Sequence, residues 1–284
     1  MTMKFFKDIL KGVVIGVANA IPGVSGGTMM VSMGVYDDII FCITHLFKQL
    51  KKSIMILLPY FIGMLIGIVG LAFSIKSLYA NFPFQTSMVF IGLIIGGVPM
   101  LYGHVKKTSL KLSHILLFLL FFVSIIAMQY FGGNGKDVVL SLDIISVIKI
   151  FFIGILASAT MVIPGVSGSM MMMILGYYNP IINAITDFVT ALAGRDWNTM
   201  LNICGSLVPF GIGVVIGIFV IAKIIEILLQ KFEAHTYCAI LGLVISSPVV
   251  ILMGTDMANI NIIAVLTGLV CLVAGIFASR QLGK

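Results

Sequence analysis

The chain has 284 residues, of which 60% are hydrophobic and 10% charged, and its formal net charge is +7 at pH 7. Its uncharged apolar stretches are too long for the core of a soluble domain, so this composition excludes a soluble globular protein and indicates an integral membrane protein. The lysines are scattered between apolar stretches, so the positive charge indicates orientation in a membrane and no nucleic acid partner. The four cysteines stand singly without metal-like spacing, and we expect no metal and no cofactor.

The first half begins with residues 1–11, which mix lysines and large apolar residues and are predicted to form an amphipathic helix at the membrane surface. Residues 12–21 supply only about 15 Å of helix, half of a hydrocarbon layer about 30 Å thick. Pro22 and Gly23 then break the helix, because proline lacks an amide donor and glycine permits non-helical angles. We therefore predict a re-entrant hairpin hinged at Pro22 and Gly23, with residues 28–36 as its returning arm.

After the hairpin, residues 37–52 are predicted to form an interfacial helix. Three transmembrane helices follow, at residues 54–75, 86–103 and 112–130, because each stretch is apolar, uncharged inside and 18 to 22 residues long.

The second half repeats this plan. The hexapeptide IPGVSG at residues 21–26 returns 142 residues later at residues 163–168, and further identities keep that spacing. After an eight-residue insertion near Ala193 the similarity continues at a spacing of 150. We predict a second hairpin hinged at Pro164 and Gly165, a surface helix up to Ala193, and spans at residues 201–222, 236–253 and 260–279. The chain is thus one all-α membrane domain built of two repeats, residues 1–135 and 136–284.

The two repeats are predicted to be inverted relative to each other. A hairpin that returns to its own side plus three crossings gives an odd number, so the second repeat enters the membrane from the opposite face. With the N-terminus and C-terminus in the cytoplasm, thirteen of the seventeen lysines and arginines lie on the cytoplasmic side, as the positive-inside rule requires.

Broken helices of an inverted repeat that meet near the middle of the membrane are the usual sign of a transporter's substrate site. The amides that follow each break lie at a helix N-terminus, where free N–H groups and the helix dipole favour an anion. Hydroxyl groups and small glycines surround these amides. The predicted phosphate- or carboxylate-binding residues are Ser25, Gly26, Gly27, Thr28, Ser167, Gly168 and Ser169.

Two other interpretations of the motif stay open. The glycines could simply let the hairpins pack closely. Residues 23–27 also fit the G-x-S-x-G pattern of serine nucleophiles, which would suit an intramembrane serine hydrolase, although all four histidines fall in surface helices or at the ends of spans. Asp37 and Asp38 stand just beyond the first hairpin, where they could carry protons or stay solvated.

The doubled motif, with Asn19 to Thr28 followed by Gly34 and Tyr36 in one half, and Gly176 and Tyr178 after the other copy, resembles the polyprenyl-phosphate transporter family of the PopT type. This resemblance covers essentially the whole chain. It implies a non-enzymatic flippase in a bacterial or archaeal cytoplasmic membrane that returns undecaprenyl phosphate, the lipid carrier of cell-wall precursors, from the outer leaflet to the inner one.

The resemblance also implies that the phosphate lies on the serines and glycines of both motifs. The family often has an acid where this chain has Asn19, and an amide does not take up or release a proton as a carboxylate does. The positions considered for coupling transport to a proton or cation gradient are Asn19, Asp37 and Asp38. A transporter or channel for a small soluble anion is the alternative within the same class. The sequence leaves the oligomeric state and the prenyl chain length open.

Overall fold

This computed structural model describes residues 2–20, 24–70, 77–78, 80–106, 110–132, 135–257 and 260–283. The described residues form helices and connections without strands. The helices are α1 (Thr2–Ala20), α2 (Gly26–Ser32), α3 (Tyr36–Thr44), α4 (Leu50–Leu65, continued by a π-turn at Ile66–Gly70), α5 (Pro83–Val105), α6 (Leu112–Phe131), α7 (Ile144–Val162), α8 (Gly168–Ile174), α9 (Tyr178–Gly194), α10 (Trp197–Lys231), α11 (Glu233–Met253) and α12 (Ile262–Leu282).

Seven helices of the described residues are long and apolar enough to cross a membrane. Six of them, α4, α5, α6, α10, α11 and α12, are the spans predicted from the sequence, and the chain is therefore a multi-pass all-α membrane protein. The seventh is α7, which runs for 19 residues where a half-length hairpin arm was predicted. Its equivalent α1 is also one continuous helix of 19 residues, so the predicted division into a surface helix and a separate arm is wrong.

The first turn of α7 is fixed by Asp143, which explains why this helix starts earlier than predicted. Asp143 accepts hydrogen bonds from the Ser141 hydroxyl and from the Ser146 amide at 3.0 Å. These bonds, that of Ser141 first, lower the pKa of Asp143 to about 2. Asp143 therefore stays ionised at neutral pH, and a charged N-cap stabilises the helix start.

α1 ends at Ala20 and α2 begins at Gly26, while α7 ends at Val162 and α8 begins at Gly168, so each half has two separate helices on either side of the predicted break. α2 and α8 each have seven residues. Gly34 and Gly176, which are equivalent at the spacing of 142, follow these helices with φ of +65° and +74°. Such left-handed glycines end a helix cleanly. Between α2 and α3 the chain turns by 115°, so these helices do not form one straight span.

The two halves use the same helix pairs, and close contact at glycines holds these pairs together. α1 packs on α4 and α7 packs on α10. A Cβ atom on Gly12 would lie 2.4 Å from the carbonyl oxygen of Tyr60, and one on the equivalent Gly154 would lie 2.3 Å from that of Phe210. Small residues permit such backbone approach in membrane helices.

The halves are also interlocked. α5 packs on α12 and α11 packs on α6, while α5 and α11 pack on each other. α5 and α11 are the most buried spans, whereas α6 and α12 are the most exposed. The centre of the molecule is thus built from both halves, with α2 packed against α5 and α7. The inversion of the second repeat and the boundary at residue 135 stay predictions.

Candidate functional site

A cavity of about 390 Å³ lies where the two repeated motifs meet. Its wall is formed by residues of α1, α2, α7, α8, α9 and α10 together with the breaks that precede α2 and α8. Six residues that were predicted for the site line it: Asn19, Ser25, Gly26, Ser167, Gly168 and Ser169. The structure therefore joins residues that are up to 150 positions apart in the sequence.

Ser25 and Ser167 occupy the same structural position in the two motifs. Each is the N-cap of the short helix that follows, with backbone angles of −99° and 124° at Ser25 and −90° and 119° at Ser167. Each hydroxyl oxygen accepts a bond from the amide three residues later, at 3.5 Å and 3.4 Å. Both bonds exceed the usual 2.7–3.2 Å, so the serines satisfy these amides only weakly.

The hydroxyl groups of the second motif form a pair that faces the cavity. The Ser167 and Ser169 oxygens are 2.9 Å apart, and either can donate to the other. The pair has two protons, so one hydroxyl keeps a donor free for a ligand. Gly168 lies between them, and a Cβ added there would lie 2.9 Å from the Thr160 hydroxyl.

Thr28 and Gly27 join the two motifs and do not line the cavity. The Thr28 side chain is fully buried, and its hydroxyl accepts a hydrogen bond of 2.7 Å from the amide of Gly165. A Cβ on Gly27 would lie 3.1 Å from the Cα of Pro164. These contacts bring the first motif directly against the break of the second, and a phosphate site on Thr28 and Gly27 stays a prediction without support from this geometry.

The predicted hinge residues are described for the second motif only. Pro164 is fully buried, and Gly165 adopts φ of +84°, so the chain changes direction there between α7 and α8. Pro22 and Gly23 lie outside the described residues.

Hydroxyl and amide groups line part of the cavity, and no described residue that lines it carries a charged side chain. Thr160 and Tyr178 add two further hydroxyl-bearing side chains to its wall. Sequence reasoning missed Thr160, because nothing in a helical apolar stretch indicates which turn faces a neighbouring motif. Tyr178 was named from the sequence only as a residue of the family motif and not as a site residue, although its equivalence to Tyr36 marked the position.

Tyr36 makes a different contact from Tyr178. It is buried, and its hydroxyl donates to the carbonyl oxygen of Val162 at 3.0 Å, which ties the start of α3 to the end of α7. The two equivalent tyrosines therefore differ in their contacts: Tyr36 makes a buried hydrogen bond to the other half, and Tyr178 lines the cavity.

Two of the candidate coupling residues lie away from this cavity. Asp37 accepts a hydrogen bond of 2.5 Å from the Tyr237 hydroxyl. Together with Asp38, Glu226 and Glu233 it lines a separate recess between α3, α10 and α11. Asn19 is the one candidate that lines the cavity, and its side-chain amide packs against Gly26.

A protein family described as VCA0040-like, undecaprenyl phosphate translocase-like, matches residues 15–265, which is most of the chain. A protein of Staphylococcus aureus named polyprenyl-phosphate transporter is 31% identical over 290 residues, covering 99% of this chain and 98% of the relative. The chain belongs to this family. A protein of Vibrio cholerae named polyprenyl-phosphate transporter is also similar to this chain. It is 28% identical over 261 residues, which cover 87% of this chain and 77% of that relative.

No solved structure matches the chain significantly. For a member of the undecaprenyl phosphate translocase-like family, a cavity between two duplicated serine motifs is the feature of this structure that fits a phosphate-bearing ligand best.

Proposed function

We propose that this protein transports a polyprenyl phosphate, undecaprenyl phosphate in bacteria, across the cytoplasmic membrane. The observation that carries the proposal is the cavity that both Pro-Gly-Val-Ser-Gly motifs share, which is lined by hydroxyl-bearing side chains of both motifs and by apolar side chains of α9 and α10. An amphiphile with a small phosphate head and a hydrocarbon chain matches that division. Relatives named polyprenyl-phosphate transporters support the same substrate.

The head group binds to Ser25, Ser167 and Ser169 in this proposal. Hydroxyl donors to an ionised acceptor form stronger hydrogen bonds than neutral pairs do. A phosphate monoester carries a charge of about −1.5 to −2 near neutral pH, and the described lining residues supply no cation. A co-transported proton or cation therefore provides the remaining neutralisation, with Asn19 as the coupling candidate nearest to the head group.

The transport cycle exchanges the roles of the two repeats. The positive-inside distribution places both termini in the cytoplasm, and the inversion places α3 near the inner face and α9 near the outer face. In this structure α2 is almost wholly buried, with six of its seven residues covered, whereas no residue of α8 is buried. In this proposal the cavity is open towards the outer leaflet on the side of α8. In a second state of the transporter the cavity is open towards the inner leaflet on the side of α2.

A reconstitution experiment tests transport itself. Undecaprenyl phosphate is placed in both leaflets of liposomes, and an impermeant phosphatase is added outside. Liposomes without protein expose only the outer half of the lipid, and liposomes with this protein expose nearly all of it. Equal exposure in both preparations, with folded protein present, contradicts the function.

The same liposomes test the coupling separately. The membrane potential and the proton gradient are collapsed one at a time with selective ionophores, and the rate of lipid transport is compared. A rate that falls in one case identifies the coupling gradient, and a rate unchanged in both contradicts coupling while leaving transport intact.

The serine hydrolase alternative finds less support in this geometry. The described residues that line the cavity include no histidine, so no base stands beside Ser25 or Ser167. A transporter of a small soluble anion explains the hydroxyl groups equally well but gives no reason for the isoleucine-rich wall of the same cavity.

A further inference from the structure

We propose that the isoleucine face of α9, formed by Ile181, Ile182 and Ile185, together with Phe210 and Val214 on α10, binds the first isoprene units of the substrate. This proposal rests on the proposed function, because it assigns a second part of the same ligand to the same cavity. The five residues are called the chain groove below.

The apolar part of the cavity wall includes residues of α9 and α10. The hydroxyl-bearing residues that line the cavity lie in the two breaks, at the starts of α8 and α9, and on α7. Beyond Tyr178, the residues contributed by α9 and α10 are all apolar. A ligand whose phosphate contacts Ser167 and Ser169 therefore meets only hydrocarbon along α9 and α10.

The chain groove is open towards the lipid-facing surface. Ile182 is 42% exposed and Ile185 is 44% exposed. Met161 on α7, at the other side of the cavity, is 45% exposed. A long prenyl chain can thus leave the groove sideways into the bilayer, and only its first units need a place on the protein.

The size of the cavity agrees with a head group plus part of a chain. At about 390 Å³ it falls within the range of roughly 300–1,000 Å³ found for sites that enclose small organic molecules. A phosphate alone has five heavy atoms and leaves most of this volume unfilled. Apolar volume beside a polar anchor is the usual division in such sites.

The same isoleucines occur in the first half, where the equivalent of Ile182 is covered. Ile39, Ile40 and Ile43 are the equivalents of the three groove isoleucines at the spacing of 142. Ile40 is only 2% exposed, in contrast to the 42% of Ile182. The protein therefore has two copies of one apolar surface, of which this structure opens the second.

Contacts on α3 explain why the first copy is closed. α3 packs on α4 of its own half and also on α10 of the other half. His45 Nδ1 lies 3.4 Å from Glu226 Oε1 on α10, and Tyr237 on α11 donates to Asp37. α9 instead packs on α10 of its own half, where Ile181 is buried and Ile182 and Ile185 stay exposed, and all three line the cavity.

Photolabelling tests the position of the chain. A prenyl phosphate with a diazirine in its first isoprene unit is added to the full-length protein in nanodiscs and irradiated, and the labelled peptides are mapped by mass spectrometry. The proposal expects label at residues 181–185 and 210–214, competed by unlabelled undecaprenyl phosphate. Label spread over the exposed helices α6 and α12, without competition, overturns it.

Matched variants test the contribution of the groove to binding. Ile182→Ser combined with Ile185→Ser removes apolar contact on α9, and Val214→Trp fills the groove from α10. The control is Val189→Ser, an exposed position of α9 outside the cavity. Losing several methylene contacts in a pocket lowers selectivity by about tenfold or more. We therefore expect both groove variants to bind farnesyl phosphate at least tenfold more weakly than the wild type does. The control variant should bind it as tightly as the wild type.

The outcomes separate this proposal from the proposed function. Wild-type protein that binds farnesyl phosphate while both groove variants bind it equally well contradicts the chain groove alone. Wild-type protein that fails to bind any prenyl phosphate contradicts the proposed function. Because Val214→Trp adds bulk where Ile182→Ser and Ile185→Ser remove it, a folding defect in one variant leaves the other as a test.

Discussion

Thr28 holds the two motifs together through a single buried hydrogen bond. Its hydroxyl accepts the bond from the Gly165 amide at 2.7 Å, and its side chain is fully buried. Without that acceptor the part-buried amide of Gly165 loses its hydrogen-bond partner in the protein. Leaving a buried donor unpaired costs about 1–3 kcal/mol.

We therefore expect Thr28→Val to lower the thermal unfolding temperature of the detergent-solubilised protein, by an amount equivalent to about 1–3 kcal/mol. Thr28→Ser keeps the hydroxyl and is the matched control, with a much smaller effect. Equal stability of Thr28→Val and the wild type would show that the bond does not hold the motifs together.

Sequence reasoning singled out Ser25, Ser167 and Ser169, which line one cavity, but it did not predict the partner of Thr28. The repeat itself indicates Ser25 and Ser167 as site residues, because identical residues at equivalent helix breaks are expected to have the same role in both halves. The direction of the Thr28 side chain depends instead on how closely α2 packs against α7, and the packing of the whole helix bundle determines that distance. Nothing local in the chain determines it.

Among the helices, α7 and α10 illustrate how glycines control distance. A Cβ atom on Gly213 would lie 2.1 Å from the carbonyl oxygen of Phe151 on α7, whereas Gly211, two residues earlier on α10, has no atom within 4 Å of its Cβ position. Only the first of these glycines is therefore required by packing.

Alanine at these two glycines should have opposite effects on stability. Gly213→Ala overpacks the contact and is expected to destabilise the protein by about 1–3 kcal/mol. Gly211→Ala is expected to be neutral or to stabilise by up to about 1 kcal/mol, because alanine favours a helix over glycine. Thermal unfolding of both variants measures this, and a destabilised Gly211→Ala protein beside an unaffected Gly213→Ala protein would contradict the packing account.

Helix lengths were predictable where charges or prolines bound an apolar stretch, as in α5 and α11. They were not predictable for α1, whose Lys4, Lys7 and Lys11 suggested a separate surface helix. α1 packs on α4 from Asp8, which accepts a hydrogen bond from the Tyr60 hydroxyl, to Gly16, whose Cβ position lies 2.4 Å from the Met64 carbonyl oxygen, and this contact spans Lys11. The tertiary contact, and not the local composition, sets the length of α1.

On the scale of the whole molecule, the two halves have equivalent helices but unequal burial. α2 is enclosed by α5, α7 and the end of α1, whereas α8 packs on α7 and α9 and accepts a backbone hydrogen bond from Gly135 at Met173. In an alternating-access transporter built of two repeats with one sequence pattern, the two repeats have different environments in each of the end states.

The inverted topology can be tested with single cysteines in a background that lacks the four native ones. Lys48→Cys lies in the connection between α3 and α4, and Asn198→Cys lies at the start of α10, just after the equivalent connection; both positions are exposed. The inversion predicts that an impermeant thiol reagent added to intact cells labels Asn198→Cys and not Lys48→Cys. Labelling of both from the same side would contradict the inversion.

The central claim is that both repeated serines hold one phosphate in one cavity, and ligand binding measured by native mass spectrometry tests it most directly. The purified protein is given undecaprenyl phosphate, undecaprenyl diphosphate and phosphatidylglycerol in equal amounts. Ser246→Ala serves as the control, because Ser246 is buried and bonded to the Leu243 carbonyl outside the cavity.

We expect selective binding of the monophosphate by the wild type and by Ser246→Ala. Ser25→Ala and Ser167→Ala should each weaken it by about tenfold or more, since a hydrogen bond to a charged group contributes about 1.5–3 kcal/mol. Loss at Ser25→Ala alone would indicate a single active serine, and equal binding of all three lipids by every variant would contradict the shared phosphate site.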